Sequence, residues 1–171
     1  IRSAGRTVMV PFHLKLRCNG QLTELICTRV MRVLPGKRLV CLGEWNAQQV
    51  VAKFFLEPSY ASRHCAREEN GVRALKEANI KTPDLLFKGL LAPDKTPVLG
   101  FRRIMPVQDL TEVWRQANNI EQRVEYLCRV VSVIAEQHEA GLKQNDPHPG
   151  NFLLAGDDIY TIDGDGIDTR Q

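Results

Sequence analysis

The stretch Asn145-Asp146-Pro147-His148-Pro149-Gly150-Asn151, followed by Phe152-Leu153-Leu154, a polar turn and Ile159-Tyr160-Thr161-Ile162-Asp163-Gly164, decides the reading of this 171-residue chain. Pro147 and Pro149 fix φ at two points between Asp146 and Asn151, which stiffens the loop and keeps helix and ladder pairing out of it. The two apolar runs flank Ala155-Gly156-Asp157-Asp158 and predict a short buried β-hairpin that carries Asp163 back beside Asn151. Taken alone, residues 145–151 are turn formers and read as a surface loop; the hairpin and Asp163 change that. A calcium loop through Asp163, Asp165 and Asp168 fails, because Ile167 and the chain end break the ligand spacing.

Asp, then Asn five positions on, then Asp beyond a hairpin is an order that suits phosphoryl transfer. That chemistry asks the protein for little covalent work. It needs one carboxylate beside the attacking hydroxyl, here Asp146, and oxygen ligands holding Mg²⁺ against nucleotide phosphates, here Asn151 and Asp163. The order of these three resembles that of the protein-kinase-like phosphotransferases, whose sites also carry a lysine for the α/β-phosphates and a glutamate on the next helix to orient it. Val50-Val51-Ala52-Lys53-Phe54-Phe55 is a strand-like run with one charge in its middle, which makes Lys53 the nucleotide lysine. A helix is predicted from Ser62 to Ala78, with Ala66, Val72, Leu75 and Ala78 along one side. Glu68 is favoured over Glu69 as the lysine's partner, since it lies four residues before Val72 and seven before Leu75.

With these five positions in order, the chain resembles the protein-kinase-like superfamily and, within it, the bacterial lipopolysaccharide kinases that phosphorylate Kdo or heptose sugars. The resemblance runs from about Leu25 to Asp168 and includes Arg32-Val33-Leu34-Pro35-Gly36-Lys37-Arg38-Leu39-Val40, Val51-Ala52-Lys53, Ala78-Asn79-Ile80-Lys81-Thr82-Pro83 and the Asp146 to Asn151 loop. It implies an α+β, two-lobed protein-kinase-like fold: an N-terminal antiparallel sheet with one helix over residues 1–100, and a mainly helical, truncated C-terminal lobe over 101–171. The hinge, about 98–105, would receive adenine on its backbone. The resemblance further implies ATP and Mg²⁺ as cofactors and a lipopolysaccharide-core sugar as acceptor. His148, standing where the catalytic-loop lysine of protein kinases stands, would contact the γ-phosphate or else pack within its loop.

Several positions depart from the wider kinase pattern. No Gly-x-Gly-x-x-Gly occurs, so phosphate cover would come from Gly36 with Lys37 and Arg38 at the first hairpin turn. Gln144 and Asn145 replace the usual His-Arg, which makes regulation by loop phosphorylation an unsuitable model. Gly164 stands where Phe is usual, and Asp165 is either a second metal carboxylate or solvated. These departures keep a second class open, a pseudokinase that binds nucleotide or a partner and acts as a regulator or scaffold, and a small-molecule or protein kinase of related fold is a third alternative.

Composition fits an enzyme with one sizeable core: 43% of residues are hydrophobic and no run approaches a membrane span. Five cysteines without a CxxC pair suggest reduced thiols and a cytoplasmic setting. Residues 1–100 carry 16 Lys+Arg against 8 Asp+Glu, while residues 101–171 carry 7 against 12. A basic half meeting an acidic half suits phosphates on one side and metal on the other, and a basic face could meet the inner-membrane surface. Dispersed cations without interleaved aromatics argue against nucleic acid. Asn119 with Gln122 predicts a capped helix carrying Ile120, Val124, Leu127, Val131, Ile134 and His138 on a buried stripe, ending at Gly141.

Overall fold

A computed structural model describes residues 9–169; the ends of the two expected lobes, residues 1–8 and 170–171, lie outside the described residues. The chain divides into two compact units, Ile1–Ala66 with Asp84–Arg103 and Arg67–Pro83 with Ile104–Gln171. The helix α1, Ala61–Glu77, passes from the first unit into the second.

Among the described residues the first unit holds six antiparallel strands: β1 Phe12–Cys18, β2 Gln21–Leu34, β3 Arg38–Trp45, β4 Gln48–Phe55, β5 Leu85–Leu91 and β6 Thr96–Arg102. The expected sheet closes on itself in the order β1-β2-β3-β4-β6-β5, sealed where Leu16 and Arg17 pair with Leu91 and Leu90. Closure removes both edges. Two-residue turns make the local connections: Asn19-Gly20 and Asn46-Ala47 have positive φ at both positions, the backbone twist that suits a tight hairpin. The 14-residue β2 takes the bend through irregularities between Cys27 and Arg29 and between Val30 and Arg32. Alternate residues point inward, so Leu16, Leu25, Cys27, Leu39, Cys41, Val50, Ala52, Phe54 and Val98 fill the barrel. Period two places Lys53, between buried Ala52 and Phe54, on the other face. Gly100 is required by close approach, since a Cβ there would lie 2.0 Å from the Phe87 ring.

In the second unit, β7 Gln108–Asp109, β9 Phe152–Ala155 and β10 Asp158–Thr161 form one small sheet, and β8 Lys143–Gln144 pairs with β11 Ile167–Asp168. The expected hairpin turns at Gly156-Asp157, with Ala155 opposite Asp158. Helix α2, Leu110–Gln116, was not anticipated; the Asp109 carboxylate caps it by accepting from the Thr111 amide at 2.7 Å. Helix α3, Ile120–Glu139, is capped at both ends. Asn119 accepts from the Gln122 amide at 2.9 Å, Gln122 reaches back to the Asn118 amide at 2.9 Å, and Gly141 (φ 74) lets Leu142 donate to the Gln137 carbonyl at 2.8 Å.

The buried face of α3 is not the expected stripe. Ile120, Val124, Leu127 and Val131 are 67%, 50%, 52% and 54% exposed, and His138 is exposed rather than packed in the core. The helix buries Val130 and Gln137, with Tyr126, Val133 and Ile134 partly covered; of the predicted stripe Ile134 packs on this core, and the buried face is centred about 100° round from the predicted one. Two apolar stripes run along this helix, and a polar contact selects between them: fully buried Gln137 donates through Nε2 to Thr161 Oγ1 on β10 at 2.9 Å. Leu110, Val113, Phe152, Leu154 and Ile159 complete that core. Among the described residues no helix is long and apolar enough to cross a membrane.

Cys18, Cys27, Cys41 and Cys65 are buried free thiols and Cys128 is exposed. A hydrogen bond with Cys41, reinforced by burial, holds the Cys27 thiol far above the ordinary thiol range, and burial raises Cys18. Only the thiolate reacts. A thiol reagent at pH 8 should therefore label one cysteine rapidly in the native protein, and Cys128→Ser should abolish that fast phase. Rapid labelling of two or more thiols in folded protein would contradict this packing.

Candidate active site

In the second unit the polar loop 145–151 and the turn 162–166 are laced together. The Asn145 amide donates to the Gly166 carbonyl at 2.9 Å, and the Ile162 amide donates to the Asn151 carbonyl at 2.9 Å. Pairing of Gln144 with Ile167 closes the arrangement at its base. Loop 145–151 thus stands beside Asp163 by backbone bonds that do not depend on its side chains.

Within the loop, Asn151 is buried and its Nδ2 donates to the Asp146 carbonyl at 2.9 Å and approaches the Asp146 carboxylate at 3.5 Å. Asp146 itself is exposed. Both amide hydrogens of Asn151 therefore have acceptors on one residue, which leaves Oδ1 as an oxygen donor. Pro149 opens a 3-10 turn over Pro149–Asn151, capped by His148: its Nδ1 accepts from the Gly150 amide at 3.0 Å. That bond requires an unprotonated Nδ1, so the neutral exposed ring carries its proton on Nε2, free to donate.

Asp163 is the strained residue of the site, with φ 69 and ψ 66. Aspartate tolerates this left-handed conformation better than most residues, at a cost of order 1 kcal/mol, and such outliers cluster at ligand-binding sites. The Gly166 amide bonds back to the Asp163 carbonyl at 3.1 Å and tightens the turn.

Glu68 is fully buried, whereas Glu69 is partly exposed. The Glu68 carboxylate accepts from the Asp165 amide at 3.1 Å, which ties α1 to the turn after Asp163. Sequence reasoning missed Arg67, whose guanidinium meets Asp165. Its helix position carries no signal that a partner lies 98 residues away. Gln144 is buried; its Oε1 accepts weakly from the Asp146 amide at 3.4 Å.

Lys53, Gly36, Lys37 and Arg38 belong to the first unit. Lys53 pairs across the sheet with Val40 and Leu99, and its Nζ lies 5.4 Å from the centre of the Phe101 ring. Gly36 (φ 69) shapes the turn Pro35-Gly36-Lys37, where Lys37 is exposed. Arg38 instead starts β3 with its guanidinium 5.0 Å from the Phe55 ring, so the two hairpin cations occupy different environments.

Among the described residues no group of three or more His, Cys, Asp or Glu is placed as a metal cage. Asn151 and Asp163 supply two hard oxygen donors, a set that fits Mg²⁺, which keeps waters and takes phosphate oxygens to complete its shell.

Neither a family model nor a curated protein matches the chain. Many solved structures share its fold, among them the following three. A rhoptry kinase from Toxoplasma gondii superposes with a TM-score of 0.66 at 11% identity over 92% of this chain. WaaP in complex with acyl carrier protein gives 0.58 at 22% identity, and the M. tuberculosis PknI kinase domain gives 0.57 at 15%, each over 83% of this chain. The chain spans 51–62% of the length of these structures. At such identities the likeness is one of fold, and the fold is kinase-like.

If Asp163 is held in a left-handed conformation by its surroundings, Asp163→Val should lower the melting temperature by about 2–8 °C, equivalent to ~1–2 kcal/mol in a protein of this size. Asp163→Gly should leave it no lower than the parent. Equal losses from both substitutions in a thermal melt would refute the strain.

Proposed function

We propose that this chain is the nucleotide-binding and catalytic part of an ATP- and Mg²⁺-dependent phosphotransferase acting on a hydroxyl of a heptose or Kdo sugar of the lipopolysaccharide inner core. One observation carries the reading. Asn151 bonds Asp146 through its side chain and, through its carbonyl, the amide immediately before Asp163. A base, a metal ligand and a second metal ligand are thereby held on two rigid turns. The sugar acceptor is supported by the motif resemblance alone, and residues 1–100 and 101–171 are read as the nucleotide lobe and part of the catalytic lobe.

In this reading the exposed Asp146 carboxylate orients the acceptor hydroxyl and takes its proton as the hydroxyl oxygen bonds to the γ-phosphorus. The bond from that phosphorus to the β–γ bridging oxygen breaks, and ADP leaves. His148 donates its Nε2 hydrogen to a γ-phosphate oxygen. Lys53, with Lys37 and Arg38, meets the remaining phosphate charge. Mg²⁺, held by Asn151 and Asp163, supplies positive charge at the phosphates. The excess of cations in residues 1–100 favours work beside an anionic surface, the cytoplasmic face of the inner membrane.

A pseudokinase is the second reading, favoured by the β2–β3 turn, the second hairpin of the chain, which offers one positive-φ glycine, Gly36, where a glycine-rich phosphate loop has several. The two part at Asp146. Asp146→Asn should keep affinity for ATP with Mg²⁺ while transfer to lipopolysaccharide core falls by roughly two to four orders of magnitude, the usual contribution of a general base. Lys53→Ala should weaken ATP binding itself. ATP binding with no transfer by the parent to core sugar, small-molecule or protein acceptors would replace the kinase with the scaffold.

A further inference from the structure

The second unit contains an ion pair that the proposed reaction does not use. Arg67 on α1 donates from Nη2 to the Asp165 carbonyl at 2.7 Å, and its Nε lies 3.2 Å from Asp165 Oδ1. The first contact is a hydrogen bond and the second an ion-pair contact. On the same helix Glu68 accepts from the Asp165 amide at 3.1 Å. Asp165 is thus held at its amide, its carbonyl and its carboxylate by two consecutive residues of α1.

Between these grips, helix and turn meet backbone to backbone. A Cβ on Gly71 would lie 1.9 Å from the Gly164 carbonyl oxygen, and one on Gly164 would lie 2.4 Å from the Glu68 carbonyl oxygen and 2.7 Å from the Val72 amide. Those neighbours are main-chain atoms and cannot swing aside. Gly164, where kinases carry Phe, is therefore demanded by close approach.

From this geometry we infer that Arg67 and Asp165 are positioning residues: they clamp the Asp163 turn onto α1 and sustain the left-handed backbone at Asp163. Asp165 serves the clamp and does not act as a second metal carboxylate. The inference deepens the proposed function, since a turn held in one conformation presents Asp163 to Mg²⁺ without reorganisation. It also gives a locked turn, in which no bulky side chain at position 164 can move in and out.

The test has two arms. In nucleotide-free, metal-free protein, hydrogen exchange of a peptide covering 162–168 should quicken about tenfold in Arg67→Ala and less in Arg67→Lys, which keeps charge but loses the fork. Because Arg67 is half-exposed, Arg67→Lys also serves if Arg67→Ala folds poorly. Unchanged exchange in both variants would overturn the clamp whatever the protein binds. In the second arm, the Mg²⁺ concentration that half-saturates the gain in ATP affinity should rise about tenfold in Arg67→Ala, with affinity in EDTA unchanged. Asp165→Asn should behave alike, and the double variant should lose little more than either single. A parent without Mg²⁺-dependent ATP binding would defeat the proposed function, leaving the exchange arm to judge the clamp. A parent that binds, with Arg67→Ala shifted less than twofold, would defeat the positioning role alone.

Discussion

The amide of Ile162 donating to the carbonyl of Asn151 is the bond on which the candidate site depends. It joins the end of the proline-stiffened loop to the residue just before Asp163, so two segments that supply different oxygens share one backbone junction. Without it, Asp146 and Asn151 would form a rigid turn with no counterpart. The β9–β10 hairpin makes the junction possible: four paired positions from Phe152 to Thr161 bring the chain back within one strand spacing of its start. Burial of Phe152, Leu154 and Ile159 gives the hairpin its stability, since a two-stranded ribbon alone is marginal in water.

Other interactions hold this junction from outside. Thr161, at the end of β10, accepts from the buried Gln137 amide and donates its own amide to the Lys81 carbonyl at 2.8 Å. Lys81 also bonds the Asp158 carboxylate, which raises the lysine's pKa, so the segment after α1 is fastened to both ends of β10. These contacts give Asn79, Ile80 and Lys81 separate tasks. Asn79 turns with positive φ, Ile80 enters the small core with Leu75, Leu142 and Ile167, and Lys81 meets the hairpin.

Much of this was legible in the chain, for physical reasons. Prolines, turn residues and period-two patterning act locally, so the 145–151 loop, the hairpin, the helix over 62–78 and the Asn119 cap could be read directly. The preference for Glu68 rested on helical phase, and burial follows that phase. Long-range partnership was not legible. Arg67 looks like any solvated helix cation, and nothing near Asp165 announces its partner. On α3 the sequence carries two apolar stripes one residue out of phase, and hydrophobicity alone chose the one that packs at Ile134 but is otherwise exposed; the other carries the buried Gln137 bond, and glutamine is not a signal for a core. Barrel closure by β1 likewise depends on a pairing between Leu16 and Leu91, far apart in the chain.

In the proposed function Asn151 and Asp163 would together hold Mg²⁺, presented by two turns. Crystals grown with Mn²⁺ and a non-hydrolysable ATP analogue test it most directly, because manganese scatters anomalously and takes the oxygen ligands of Mg²⁺. The account predicts an anomalous peak at about 2.0–2.3 Å from Asn151 Oδ1 and an Asp163 carboxylate oxygen, with phosphate oxygens completing the shell. A nucleotide-bound structure whose metal sits on other residues, or whose Asp163 leaves the left-handed conformation, would contradict it.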